Sequence, residues 1–129
     1  MFFIILLLKM NKRICVNTRD EFIVIYPDQI AYIEAEGNYS RVYYIVDHKE
    51  NDFKLPYGIS KVEEMLKPVA EKGSFMRLCR SVIINRKYIA KINTYDCELL
   101  LSDCGTSIRK ITGLPKPALK TLKQIEMSK

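Results

Sequence analysis

The chain has no tryptophan, one histidine and five glycines, and each shortage removes a class of chemistry. With His48 the only imidazole and no Cys-x-x-Cys pair among Cys15, Cys79, Cys97 and Cys104, neither a zinc site nor a Cys-His nucleophile pair is readily built. The few glycines form no phosphate-cradling loop, and the carboxylates are scattered, so no enzyme's constellation is visible. We therefore expect no catalysis, no metal and no cofactor, with reduced thiols in a cytoplasmic setting. Long apolar runs are lacking too. Phe2–Leu8 falls far short of the roughly 20 residues a membrane span needs, and as a signal peptide it lacks a basic start and a small-residue cleavage site. Residues 1–11 read as an N-terminal extension, with Met10 as the natural start, ahead of one domain over residues 12–129.

What is present is ordinary globular stock: 129 residues, 48% hydrophobic and 28% charged, enough for a core without disulfide or metal staples. The charge is unevenly placed. Residues 1–66 carry 8 Lys+Arg against 10 Asp+Glu, net −2, whereas residues 67–129 carry 13 against 5, net +8. Such a basic half suits a polyanion, although a solvated basic face has the same composition.

Periodicity favours strands. Ile14–Asn17 and Phe22–Tyr26 flank a polar turn; Ile30–Ala35 and Arg41–Val46 bracket a loop, Glu36–Ser40, whose Gly37 and Asn38 suit positive φ. A polar turn at Asp47–Asn51 leads into Asp52–Leu55. Ser60-Lys61-Val62-Glu63 then has the spacing of a capping box opening a helix over about 59–72, with Gly73 at its exit. Strands resume at Phe75–Leu78, Val82–Ile84, Tyr88–Ile92 and Cys97–Leu101. A terminal helix over about 115–126 starts near Pro117, buries Leu114, Ala118, Leu122 and Ile125, and turns Lys116, Lys120 and Lys123 outward.

Three stretches in this order carry a family resemblance: Ile30-Ala31-Tyr32-Ile33-Glu34-Ala35 with Gly37-Asn38-Tyr39, then the Ser60–Leu66 helix, then Phe75-Met76-Arg77-Leu78-Cys79-Arg80-Ser81-Val82-Ile83-Ile84-Asn85 through Ile89. The chain resembles the LytTR family, whose pattern is I-x-Y-I-E-A, a helix, then F-x-R-x-H-R-S-x-x-V-N-x-x-x-I. That resemblance implies a mainly β, elongated fold of about ten antiparallel strands in small sheets, binding double-stranded DNA through loops in the major groove. It also implies a bacterial transcription regulator, free-standing or the output domain of a two-component response regulator. For a domain this small, a homodimer on repeated half-sites would be a natural arrangement.

By the same resemblance, the loop Asn38-Tyr39-Ser40-Arg41, the loop Cys79-Arg80-Ser81 and the segment around Arg109-Lys110 would form the DNA face. Asn38, Ser40, Arg80 and Arg109 are expected at base edges, and Tyr39, Arg41, Arg77, Ser81, Arg86, Lys87 and Lys110 at phosphates. Cys79 stands where the family commonly has His, exchanging a ring donor for a thiol among basic residues. Other readings remain open: Arg77 as a structural arginine, Tyr39 as a hydrophobic edge, and Arg86 and Lys87 as solvated turn charges. Asn85 reads as structural, an αL or turn residue at a strand exit. An RNA- or single-strand-binding β module would share the basic charge and the eight tyrosines, and a protein-interaction domain fits the N-terminal half alone.

Overall fold

A computed structural model describes residues 12–128; the expected extension over residues 1–11 lies outside the described residues. Ten strands run β1 (Ile14–Asn17), β2 (Phe22–Ile25), β3 (Ile30–Glu36), β4 (Tyr39–Val46), β5 (Lys49–Leu55), β6 (Phe75–Arg77), β7 (Val82–Asn85), β8 (Ile89–Asn93), β9 (Glu98–Asp103) and β10 (Thr106–Ile111). Two α-helices, α1 (Ile59–Leu66) and α2 (Lys116–Met127), complete the order. All strand pairs are antiparallel. A central sheet has the order β5-β4-β3-β7-β6, flanked by the β1-β2 hairpin and the sheet β10-β9-β8.

The central sheet is buried on both faces, which explains why β7 reads as an unbroken apolar run rather than an alternation. One face, with Ile33, Val42 and Ile83, packs on the β1-β2 hairpin and on Ile59, Val62 and Leu66 of α1. The other, with Tyr32, Tyr43, Val82 and Ile84, packs on Leu99, Leu101 and Ile111 of the small sheet and on Leu119 and Leu122 of α2. Tyr32 and Tyr43 are cross-strand partners whose rings stack at 4.3 Å, 6° from parallel.

Local readings are corrected at four places. Helix α1 stops at Leu66 instead of continuing to 72, because Pro68 has no N–H to offer the Glu64 carbonyl and its ring crowds that oxygen. The capping box is not formed: Gly58 is the N-cap, so Ser60 lies inside the first turn and its hydroxyl is free for another partner. Gly73, at φ +82, turns the chain toward β6 rather than closing the helix. The polar turn shrinks to Asp47-His48, both at positive φ as a type I′ hairpin turn requires, so β5 begins at Lys49.

Candidate nucleic-acid interface

The loop between β3 and β4 is also shorter than its composition suggests. It is the two-residue turn Gly37-Asn38 with positive φ at Gly37 (+62) and not at Asn38. Tyr39, Ser40 and Arg41 therefore belong to β4 and alternate across the sheet. Ser40 points inward, fully buried, and its hydroxyl donates to the Tyr57 carbonyl at 2.8 Å, which removes it from any base edge. Arg41 is held by Glu36 and Asp52. Hydrogen bonding to Arg41 keeps the Glu36 carboxyl below the ordinary carboxylate range. Asn38 is exposed at the tip, and Tyr39 is 48% exposed with Lys54 Nζ 5.4 Å from its ring centre.

The second loop lies at this same end of the sheet, since Ala35 N donates to the Ser81 carbonyl at 2.8 Å. Arg77 fixes its shape. Nε donates to the Cys79 carbonyl (3.1 Å) and Nη2 to the Arg80 carbonyl (3.0 Å), while Nη1 reaches Ser60 Oγ (3.0 Å) and Glu63 Oε1 (3.1 Å) on α1. The two residues that looked like a capping box thus anchor this arginine, and the structural reading of Arg77 replaces the phosphate one. Arg80 and Ser81 project outward, and Arg80 makes no side-chain hydrogen bond or ion pair among the described residues. Cys79 is half-buried, with Sγ 3.5 Å from Ser81 Oγ. Arg77→Met, which keeps the stem and removes the donors, is expected to lower stability by about 1–2 kcal/mol. Faster amide exchange across residues 78–82 than in the wild type checks this.

Arg86 and Lys87 do not join that loop. They start a 3₁₀ turn at the far end of β7, about 13 Å away at some 3.3 Å per strand residue. Arg86 is largely covered, donating through Nε to Glu126 (2.5 Å) and through Nη1 to the Gly73 carbonyl (2.8 Å), so it ties α2 to the core instead of meeting a phosphate. Asn85, 2% exposed, has the structural role expected, though not in the αL region. It donates to the Ile30 carbonyl (2.9 Å) and accepts from Lys87 N (3.0 Å). Nearby, burial pushes the Tyr88 hydroxyl up to about 12, and that hydroxyl donates to the Asp28 carbonyl at 2.8 Å.

Arg109 and Lys110 are neighbours on β10 and point to opposite faces. Lys110 pairs with Leu100 on the outer side and meets Glu98 at 3.1 Å. Arg109 pairs with the fully buried Leu101, so it faces the central sheet, re-aimed by a bulge between Ser107 and Arg109. Its guanidinium lies 4.6 Å from the Tyr43 ring centre and donates from Nη2 to Glu50 Oε1 at 2.6 Å. The bond to Glu50 raises the Arg109 pKa further above its ordinary value. Sequence reasoning missed Lys54 and Glu50, and gave Ser60 and Glu63 another role, because each partner is brought in by the fold from a distant segment.

Among the described residues no group of three His, Cys, Asp or Glu side chains is placed to hold a metal ion, and no helix is long and apolar enough to cross a membrane. No curated protein matches the chain significantly. A solved structure with a similar fold is the LytTr DNA-binding domain of a methyl-accepting/DNA response regulator from Bacillus cereus. The two share 20% identity with a TM-score of 0.58, over 89% of this chain and 96% of that one. The sequence family described as the LytTr DNA-binding domain matches residues 20–125. With the ten-strand fold and the ordered motifs, that match over most of its length places this chain in the LytTr DNA-binding domain family.

Proposed function

We propose that the protein reads double-stranded DNA in a sequence-specific way, as a bacterial transcription regulator, through the end of the central sheet that carries Asn38, Tyr39, Arg80 and Ser81. The observation that carries this reading is Arg80. It is an exposed arginine without an ionic partner among the described residues, on a loop whose backbone is held from behind by Arg77. A free, pre-positioned guanidinium suits the O6 and N7 edge of guanine, which it grips with two parallel bonds. Arg109 is the second candidate for a base edge. A homodimer on repeated half-sites remains part of the proposal.

Selection of bound duplexes from a random pool, followed by competition with single-stranded DNA and RNA, tests the reading. An enriched duplex motif supports it; preference for single strands or RNA sinks it. Binding should also weaken steeply with salt. With Arg77 and Arg86 engaged within the fold, about two to four phosphate contacts would give log K against log salt a slope of about −2 to −4, measured by anisotropy from low to moderate salt. A slope near zero would remove the phosphate contacts.

A further inference from the structure

Arg109 is an unusual candidate for a polyanion contact because it carries its own counter-ion. Glu50 lies on β5, opposite Ile45 in the register, with 21% of its side chain exposed. Oε1 accepts from Arg109 Nη2, whereas Oε2 is buried without a hydrogen-bond partner. Leaving a carboxylate oxygen so placed is costly, and a neutral side chain there would avoid the cost. The guanidinium also lies over the ring of Tyr43, which is itself stacked on Tyr32, and 43% of the Arg109 side chain stays open to solvent. One edge of the fork is thus engaged and one face covered, so few rotamers remain to be lost when the open part meets a partner.

Building on the proposed DNA reading, we infer that Glu50 is a specificity-determining residue that acts through Arg109. Its negative charge opposes every phosphate backbone alike, so it weakens binding to random duplex. Its hydrogen bond fixes the guanidinium plane, which helps only where a base edge matches that plane. On random DNA only the repulsion acts, whereas at the correct site the two effects offset each other, so discrimination rises without a gain in raw affinity.

Anisotropy with the selected duplex and a scrambled duplex, at one salt concentration, tests this on the wild type, Glu50→Gln, Glu50→Ala, Arg109→Ala and the double variant Glu50→Ala/Arg109→Ala. Glu50→Gln is nearly isosteric and replaces the charged acceptor of Nη2 by a weaker neutral one, so it loosens the guanidinium without opening a cavity and covers the case in which Glu50→Ala melts early. Both Glu50 variants are expected to bind scrambled duplex about 3–10-fold tighter and to lose about 3–10-fold in the selected-to-scrambled ratio, Glu50→Ala the more. In the Arg109→Ala background the Glu50 change should leave that ratio within twofold, which separates positioning from a general loosening of the sheets. A ratio unchanged in folded Glu50 variants, or lowered equally with and without Arg109, overturns the inference and leaves the DNA reading standing. A wild type that prefers no duplex overturns both, and shows this before any variant is compared.

Discussion

Arg80→Ala is expected to lose about 1–3 kcal/mol of affinity for its selected duplex, roughly 5- to 150-fold, while its affinity for scrambled duplex falls much less. The reason is geometric. Two parallel N–H bonds to one guanine discriminate between bases, whereas a phosphate contact does not. Because the Arg80 side chain is exposed and makes no hydrogen bond or ion pair among the described residues, its removal should leave the melting temperature close to wild type. Base preference at one position of the selected motif should relax in a repeated selection. A folded Arg80→Ala with the full selected-to-scrambled ratio would show that this loop does not read sequence.

Asn85→Ala should do the reverse, costing stability ahead of recognition. The Asn85 side chain, only 2% exposed, satisfies the Ile30 carbonyl and the Lys87 amide, so truncation strands one buried and one part-buried backbone group. At about 1–3 kcal/mol for each buried group left unpaired, with partial relaxation, we expect a loss of about 2–4 kcal/mol. For a domain of this size that corresponds to a fall of roughly 7–15 °C in Tm. Thermal and urea melts should agree. A shift below about 3 °C would mean that both backbone groups find other partners.

These contrasts show what a sequence discloses and what it withholds. Strand positions were legible because alternation and apolar runs report burial locally: β1, β3 and β7 begin at the residues their patterns suggest. Asn85 was legible in role, since a short amide after three apolar residues has few uses but a turn. The arginines were not legible. Arg41, Arg77, Arg86 and Arg109 look alike as unpaired cations, yet carboxylates 5 to 59 residues away claim all four. Only the fold decides which charge faces a carboxylate and which faces water. Ser60 and Glu63 mislead for a related reason: the helix begins earlier, and the pattern that would cap it anchors Arg77 instead.

The grip of Arg77 on its loop has an evolutionary consequence. Its bonds within that loop go to the carbonyls of Cys79 and Arg80, which every amino acid possesses, and ask nothing of the side chains there. Position 80 can therefore be exchanged without dismantling its mount, as on a tool with a fixed shank and interchangeable bits. If position 80 reads a base as proposed, preference at one base pair can drift within a lineage by single substitutions that cost the fold little, and operators and regulators can change in step.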